Sequence, residues 1–183
     1  MLIDLTLPIT PQMVEKAQAN EKMALVGHLG THFDTMGKEF PLSYTELTAT
    51  VFDVTGIADR DISSSDIDLS KLKPGMFAAF HTGFIEKEGY GGKRYFTEHP
   101  QLSDALIDDL LLRQVAIIGV DFAGVRRGRE HLPKDEYCAN KNTFIVENLC
   151  NLSSVLGCSF TACTYPMNYV DVTGVPCRVI AKA

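Results

Sequence analysis

The sequence predicts an α/β fold, with a mixed β-sheet of partly parallel character in a single domain. Residues 103–113 have the spacing of an amphipathic helix. They lead into residues 115–120, VAIIGV, an apolar run that is typical of a strand buried on both faces. A helix followed directly by a buried strand indicates a parallel arrangement, because crossover helices cover the faces of such a sheet.

The helix at residues 103–113 carries its own start signals. Ser103 is a suitable N-cap, and Leu102 and Ile107 occupy the positions of a hydrophobic staple. Asp104 suits the positive end of the helix dipole. These signals predict that the helix begins at Ser103.

The N-terminal segment predicts a short strand and a helix. Residues 2–7 alternate like a strand that ends at Pro8. Residues 10–24 are polar and moderately helical, with Thr10 as a possible N-cap and Pro11 at the first helical position.

Three further strands are expected in the middle of the chain. Residues 48–54 are rich in β-branched and aromatic side chains, residues 76–81 follow a Pro-Gly turn signal, and residues 144–146 lead into Glu147. Residues 86–94 are rich in glycine and lack phosphate-binding spacing, which favours a surface loop or an active-site lid.

The C-terminal half is less clearly patterned. Residues 123–143 are expected to be irregular, and residues 150–165 are rich in small residues and cysteine. Residues 170–180 predict a closing hairpin or strand, in which Pro176 argues against a central position in the sheet. Asp121 follows the buried strand directly, where polar groups often line a site.

Composition narrows the class of protein. The chain has 183 residues with 45% hydrophobic and 22% charged side chains, as expected for one globular domain. A net charge of −6 argues against nucleic acid as a partner. No apolar run has the length of a membrane span, and the first residues lack a basic leader. The 5 cysteines form no CxxC pair, which favours free thiols and a cytoplasmic location.

A cluster of metal-ligand residue types stands out near the N-terminus. His28, His32 and Asp34 are good ligands for a borderline divalent ion. A straight helix would point Asp34 away from His32, and a straight strand would spread the three over roughly 20 Å. They can therefore share one ion only on a bent segment, which Gly27 and Gly30 permit. A buried hydrogen-bonded pair or a solvated loop is the alternative.

If a second ion is bound, the best remaining ligand pair is His131 and Glu147. Both come after the buried strand, and Glu147 ends the strand predicted before it. The alternative is that His131 is structural or exposed, as a lone histidine usually is.

The stretch His28-Leu-Gly-Thr-His32-Phe-Asp34 resembles the HxGTHxD motif of the metal-dependent cyclase/hydrolase family, which includes bacterial kynurenine formamidases and isatin hydrolases. The motif is specific, and similarity in the same order spans nearly the whole chain. The other matching segments are Ile3-Asp4-Leu5-Thr6, His81-Thr82-Gly83, Phe96–Ser103, Ile118-Gly119-Val120-Asp121, Val146-Glu147-Asn148-Leu149 and Gly174-Val175-Pro176-Cys177-Arg178.

The resemblance implies a cyclase-like α/β fold of the swivelling β/β/α type, usually in a homo-oligomer such as a dimer or tetramer. It also implies a divalent metal cofactor, zinc or manganese, as one or two ions. Carried over, His28, His32 and Asp34 bind metal, Asp34 can bridge two ions, and His131 and Glu147 resemble the second set of ligands.

The chain departs from the family pattern in three ways. Thr35 replaces the usual proline or alanine, and the separation of 16 residues between His131 and Glu147 is longer than in the formamidases. The third departure concerns the acid/base residue. The formamidase branch has an acid/base histidine four residues after the motif aspartate, and this chain has Lys38 there. A charged lysine would stabilise an oxyanion or hold an acidic substrate, whereas a general base would need surroundings that favour the neutral amine. His81 is a second candidate for proton transfer, with a structural strand-end histidine as the alternative.

The leading hypothesis is a metal-dependent hydrolase of a small amide, lactam, lactone or ester, with Lys38 and His81 as the candidate catalytic residues. A different class remains open, because the replacement of the histidine by Lys38 also fits a metal-binding or assembly protein without catalysis. A third reading treats the histidine motif as a structural turn without metal.

Overall fold

A computed structural model describes residues 1–8, 10–18, 27–57 and 59–183. The strands are β1 Leu2–Asp4, β2 His32–Asp34, β3 Glu46–Asp53, β4 Phe77–His81, β5 Ile117–Val120, β6 Phe144–Glu147, β7 Phe160–Pro166 and β8 Gly174–Lys182. The α-helices are α1 Pro11–Ala17, α2 Phe84–Glu88, α3 Lys93–Thr97, α4 Asp104–Leu112 and α5 His131–Ala139. No helix in these ranges is long and apolar enough to cross a bilayer.

The strands form one mixed sheet that closes on itself. Its order is β1-β8-β2-β6-β5-β4-β3-β7, and β7 pairs with β8 as well, so the sheet is barrel-like. The pairs β3–β4, β4–β5 and β5–β6 are parallel, and the other pairs are antiparallel. The predicted α/β class with a mixed, partly parallel sheet is therefore confirmed.

Apolar side chains fill both sides of this sheet, because successive strand residues point to opposite faces. On β4, Phe77 and Ala79 join the cluster inside the closed sheet. The alternate residues Ala78 and Phe80 join a second cluster on the outer face. Helix α4 covers that outer face and thereby makes β5 a strand buried on both sides, as its sequence predicts.

Helix α4 begins where its capping signals predict. The Oγ atom of Ser103 accepts a hydrogen bond from the backbone N–H of Leu106 at 3.2 Å. Leu106, Ile107 and Leu110 are fully buried against the sheet. The prediction for residues 103–113 is confirmed to within a residue at each end.

The N-terminal predictions hold in part. β1 is shorter than residues 2–7, although Thr6 still forms an isolated bridge to Leu149. The Oγ atom of Thr10 accepts a hydrogen bond from the N–H of Met13 at 3.3 Å, so Thr10 does cap α1. The last part of the predicted helix, residues 19–24, lies outside the described residues.

Two segments predicted to be irregular contain helices. The expectation for residues 123–143 was wrong over His131–Ala139, which forms α5. Pro133 lies in the first turn of that helix, where no intrahelical partner for its missing N–H is needed, so it does not break the helix. The glycine-rich segment at 86–94 includes parts of two short helices, α2 and α3.

The C-terminal strands also differ from expectation. Residues 160–166 form β7, which was not predicted, and β8 pairs with β1, β2 and β7 despite Pro176. The register explains why the proline is tolerated. Pro176 is the last β8 residue paired with β2, and Cys177 is the first paired with β7. The missing N–H therefore falls where both ladders end.

Candidate metal centre

Two of the predicted ligands lie on strand β2. His32 and Asp34 share one face of this three-residue strand, and Phe33 between them points into the interior cluster. His32 and Asp34 are only 2% and 3% exposed. Strand β2 is hydrogen-bonded to β6 on one side and to β8 on the other, so its backbone is fixed.

A bend brings the third predicted ligand, His28, back to this strand. Gly27 and Gly30 have φ values of +81° and +71°, a region that favours glycine. The bend places Nε2 of His28 at 3.3 Å from Oδ1 of Asp34. The prediction that the motif can gather its three side chains only on a bent segment is confirmed.

The C-terminal pair of predicted ligands meets the same strand. The β2–β6 register sets Glu147 directly opposite His32, with Oε2 of Glu147 at 3.6 Å from Nε2 of His32. His131 is the first residue of α5, and its Nε2 lies 3.1 Å from Oε1 of Glu147. The β2–β6 pairing and the start of α5 therefore bring together residues that are far apart in sequence.

The convergence produces two overlapping donor groups. In the first, the ligand atoms of His28, His32 and Asp34 all lie within 4.8 Å of one another. In the second, those of Asp34, His131 and Glu147 do the same. Asp34 belongs to both groups, so the five residues predicted as ligands form one continuous cluster.

The unsatisfied polar atoms of this cluster fit a divalent cation. Within the described residues, Nε2 of His32 and Oδ2 of Asp34 are buried without a hydrogen-bond partner. The Nδ1–H of His32 donates to the carbonyl oxygen of Gly30 at 2.9 Å, so the lone pair of the neutral ring is on Nε2. Imidazole and carboxylate donors are those that zinc and manganese prefer.

The imidazoles of the cluster are surrounded by negative charge. Burial favours the neutral ring of His32, but the charges of Asp34 and Glu147 outweigh it and raise the pKa of His32 to about 9. Burial also opposes the charge on His131, yet hydrogen bonds with Asp135 and Glu147 raise the pKa of His131 to about 11. The surrounding negative charge therefore favours protonation of both rings, and binding of a metal ion through a protonated nitrogen would displace its proton.

The carboxyl groups of the cluster respond in opposite directions. Burial works against ionisation of Asp34, but its neighbours His32 and His28 hold the pKa of Asp34 well below its ordinary range. Burial and the charge of Asp34 raise the pKa values of both Glu147 and Asp135. Asp34 is thus the most strongly anionic group of the cluster.

Two polar residues at the centre were not identified from the sequence. Asp135 is 2% exposed, and its Oδ2 lies 3.1 Å from Nε2 of His131. Asn148 donates from Nδ2 to the carbonyl of Gly30 at 2.8 Å and accepts from the hydroxyl of Tyr95 at 2.7 Å. The i, i+4 spacing of His131 and Asp135 was the available signal, but it requires the helix that the sequence did not indicate.

Thr31 and Asp121 form hydrogen bonds with the ends of neighbouring strands. The hydroxyl of Thr31 donates to the carbonyl of Asn148 at 2.8 Å, joining the loop before β2 to the end of β6. The carboxylate of Asp121 accepts hydrogen bonds from the backbone of Thr82 and Gly83. Both stabilise strand ends.

The two predicted catalytic residues lie outside the five-residue cluster. Lys38 closes a turn in which its N–H donates to the carbonyl of Thr35 at 2.9 Å, and its side chain is exposed. His81 ends β4 and groups with Glu86 and Asp121, whose ligand atoms lie within 4.8 Å of its own. Within the described ranges, no hydrogen bond or ion pair joins Lys38 or His81 to a predicted metal ligand.

The cluster faces solvent at two of its histidines. The side chains of His28 and His131 are 26% and 37% exposed, in contrast to the buried His32. A separate cleft of about 320 Å³ opens near the end of β4, with Thr82 and His99 in its wall. Of the described residues, none of the five predicted ligands lines that cleft.

We expect Gly174→Ala to weaken metal binding without unfolding the protein. A Cβ atom at position 174 would lie 2.6 Å from Nε2 of His28, so the imidazole would have to move. Displacing one ligand should lower metal affinity by about tenfold or more, as measured by competition with a chromogenic chelator. Gly56→Ala is the matched control, because a Cβ there meets nothing within 4 Å. Unchanged affinity in the Gly174 variant would remove His28 from the ligand set.

The sequence and the fold of this chain are similar to those of known proteins. A family model described as putative cyclase matches residues 3–126. A potential metal-dependent hydrolase with cyclase activity has a TM-score of 0.80 at 22% identity, covering 99% of this chain and 96% of that chain. A predicted metal-dependent hydrolase from Bacillus stearothermophilus has a TM-score of 0.77 at 22% identity, covering 99% and 97%. No curated protein matches the sequence.

A third similar structure is that of a hydrolase with a named substrate. Isatin hydrolase A from Labrenzia aggregata, bound to benzyl benzoate, has a TM-score of 0.75 at 15% identity, covering 99% of this chain and 93% of that chain. At these identities the likeness shows a shared fold, which confirms the cyclase-like architecture predicted from the sequence. The matched range 3–126 includes His28, His32 and Asp34 and ends before His131.

Proposed function

Because the chain belongs to the putative cyclase family, we propose that it is a metal-dependent hydrolase of a small amide, lactam, lactone or ester. The observation that carries the proposal is the pair of donor groups that share the buried carboxylate of Asp34. The names of the similar structures, a metal-dependent hydrolase and an isatin hydrolase, support the same reaction class. The class of bond that is cleaved is proposed on the same basis.

We assign the metal ligands to the two donor groups. His28, His32 and Asp34 hold one ion, and Asp34 with His131 and Glu147 holds a second where two are bound. Zinc or manganese suits this mixture of nitrogen and oxygen donors. A bound divalent cation supplies a more acidic water and polarises the scissile carbonyl group.

The residues of the chain prepare this chemistry in three ways. The hydrogen bond from His32 to Gly30 fixes the imidazole tautomer, so Nε2 is available as a donor atom. The buried carboxylates of Asp34 and Glu147 supply negative charge in a dry environment, where it acts strongly. The exposed edges of His28 and His131 leave room for substrate.

We further propose that Lys38 and His81 assist the reaction. Lys38 follows the ligand strand β2 by one turn, and its exposed cation can bind an acidic substrate or a developing oxyanion. His81 is 8% exposed, and its Nδ1 lacks a hydrogen-bond partner among the described residues. That nitrogen lies 3.8 Å from Oδ1 of Asp53, and a ring nitrogen beside a carboxylate can take part in proton transfer.

The alternative function is a metal-binding or assembly protein without catalysis. The exposure of Lys38, at the position of the family's acid/base histidine, favours this alternative. A protein of this kind would keep the ligand cluster and show no turnover.

The exposed apolar side chains and the free cysteines support a proposal for the oligomeric state and the compartment. We propose that residues 1–183 act as one domain in a homo-oligomer, a dimer or tetramer, on a small-molecule substrate in the cytoplasm. Exposed apolar side chains support an oligomer surface, among them Tyr165, Met167, Tyr169 and Val170. The five cysteines are free, which fits a reducing compartment.

The direct test combines metal analysis with substrate screening. We expect protein purified without chelators to carry one or two zinc or manganese ions per chain by plasma mass spectrometry. The same protein should hydrolyse at least one member of a panel of amides, lactams, lactones and esters, and lose this activity on dialysis against a chelator. Stoichiometric metal without turnover would favour the metal-binding alternative. Protein that is both metal-free and inactive would contradict the hydrolase proposal.

Lys38→Met tests the proposed role of the lysine. We expect a fall in kcat/KM of about 10²-fold, because a positive charge near a developing oxyanion is lost, with metal content unchanged. Lys141→Met, another exposed lysine, is the control. If Lys38→Met left turnover intact, the lysine would have no part in catalysis.

A further inference from the structure

The imidazole of His32 is oriented by a residue that has little stiffness of its own. Its Nδ1–H donates to the carbonyl oxygen of Gly30 at 2.9 Å. Gly30 has a φ of +71°, and glycine adopts positive and negative φ about equally readily. If the carbonyl of Gly30 turned, the acceptor for His32 would turn with it. A stable orientation of the imidazole therefore requires contacts that hold Gly30.

Both backbone polar groups of Gly30 are held by residues from later in the chain. Its N–H donates to the hydroxyl oxygen of Tyr90 at 3.0 Å. Its carbonyl oxygen accepts from Nδ2 of Asn148 at 2.8 Å, and Oδ1 of Asn148 accepts from the hydroxyl of Tyr95 at 2.7 Å. Because one contact holds the N–H before the Cα atom and the other holds the carbonyl after it, they restrain both backbone dihedrals of Gly30.

The hydrogen bonds between Tyr95 and Gly30 can run in only one direction. A carbonyl oxygen only accepts, so the part of the Asn148 side chain that faces Gly30 must be its NH₂ group. That assignment leaves the amide oxygen facing Tyr95, whose hydroxyl therefore donates. Burial raises the pKa of Tyr95 well above its ordinary value, so the hydroxyl keeps its proton at neutral pH. The proton of Tyr95 thus fixes the orientation of the Asn148 amide.

Both tyrosines lie in a packed aromatic segment, residues 84–97, which we call the aromatic strap. It consists of α2, α3 and the glycine-rich link between them. The ring centroid of Tyr95 lies 5.4 Å from that of Tyr90 and 5.8 Å from that of Phe84. Tyr95 and Asn148 are each only 1% exposed. The contacts to Gly30 therefore come from a packed support, and buried hydrogen bonds restrain their partners strongly.

Resting on the proposed function, we propose that Tyr90 and Tyr95 are positioning residues of the metal centre, which act through Gly30 on the imidazole of His32. Tyr95 acts by way of Asn148, and Tyr90 acts on the N–H of Gly30 directly. Outer partners that orient a ligand histidine are worth about 10–100-fold in metal affinity. The aromatic strap accordingly contributes to metal affinity although it supplies no ligand.

The zinc affinity of Tyr95→Phe tests this role. The substitution removes one hydroxyl group and keeps the ring. Metal-free protein is titrated with Zn²⁺ in competition with a chromogenic chelator, and the affinity for one ion should fall about tenfold. Tyr44→Phe is the matched control, because the hydroxyl of Tyr44 donates to the carbonyl of Asn142 at 3.1 Å, outside the metal cluster. Equal losses in the two variants would overturn the proposal.

Tyr90→Phe tests the second contact on Gly30. Tyr90 is only half-buried, so this variant should keep its fold, which circular dichroism verifies. Its affinity for one Zn²⁺ ion should also fall about tenfold, because the N–H of Gly30 loses its acceptor. If Tyr95→Phe does not fold, Tyr90→Phe alone decides between the positioning role and its absence.

The Nδ1–H proton of His32 separates positioning from general stabilisation. It is observed by nuclear magnetic resonance in zinc-loaded protein with ¹⁵N-labelled histidine, and its loss in His32→Ala identifies it. In each tyrosine variant the signal should shift and exchange with water faster, because its acceptor is held less firmly. Weaker Zn²⁺ binding with an unchanged His32 signal would mean that the tyrosines do not act through this imidazole.

The outcomes distinguish the positioning role from the hydrolase proposal. Zinc binding that depends on Tyr90 and Tyr95, with a changed His32 signal but without turnover on any substrate, would support the positioning role and overturn the hydrolase. Turnover by the wild type, with unchanged zinc binding in both tyrosine variants, would overturn the positioning role and leave the hydrolase standing. Failure of the wild type to bind any metal would overturn both.

Discussion

Asp34→Ala should remove both ions and lower hydrolysis to the background rate. Asp34 belongs to both donor groups, so its loss leaves each of them one ligand short. A bound metal is worth several kcal/mol of transition-state stabilisation, and about 4 kcal/mol corresponds to roughly 10³-fold in rate. The measurements are metal content by mass spectrometry and kcat/KM on the best substrate of the panel.

The control for this substitution is Glu39→Ala. Glu39 is an exposed carboxylate five residues after Asp34, outside both donor groups. It should retain metal and activity. Retention of both ions in Asp34→Ala would show that the cluster is not the metal centre.

Phe33→Ala should destabilise the protein by about 3–5 kcal/mol, the range for removing a buried phenylalanine ring. Phe33 is fully buried between the two ligands of β2, and its ring lies 4.6 Å from that of Phe40. A cavity beneath this short strand should also loosen His32 and Asp34. Urea unfolding of the metal-free protein gives the stability change.

Two further substitutions serve as references for the stability loss of Phe33→Ala. Phe33→Leu keeps most of the side-chain volume and should lower the free energy of unfolding by less than about 1.5 kcal/mol relative to the wild type. Phe96→Ala removes a ring that is 37% exposed and should cost clearly less than Phe33→Ala. Equal losses for Phe33→Ala and Phe96→Ala would show that the interior cluster does not support the ligand strand.

Local sequence signals predicted the parts of the fold that local forces determine. The cap at Ser103 and the apolar run before Asp121 were sufficient for α4 and β5, because both patterns lie within a few residues. The helix α5 was missed because Pro133 and many polar residues outweighed its pattern. Strand β7 was missed because small and cysteine residues dominate the sequence around it, and its pairing with β3 and β8 defines it.

In the candidate site, too, local sequence predicted some features and long-range strand pairing determined the others. The bent motif from His28 to Asp34 was accessible from spacing, and the family it resembles is confirmed by the match over residues 3–126. The register that sets Glu147 opposite His32 depends on pairing between distant strands, which spacing alone does not encode. The roles of Lys38 and His81 stay predictions.

The neighbours of strand β2 have a consequence for the time at which metal can be taken up. His28, His32 and Asp34 are made early in synthesis, but the two strands that hold β2 in the sheet, β6 and β8, are made late. His28 in addition packs against Gly174, at the start of β8. A ribosome-bound chain that has not yet extruded β8 would therefore expose its first three ligands without the scaffold that gathers them. We therefore expect native metal loading to follow completion of the chain, because only then are the three ligands held together.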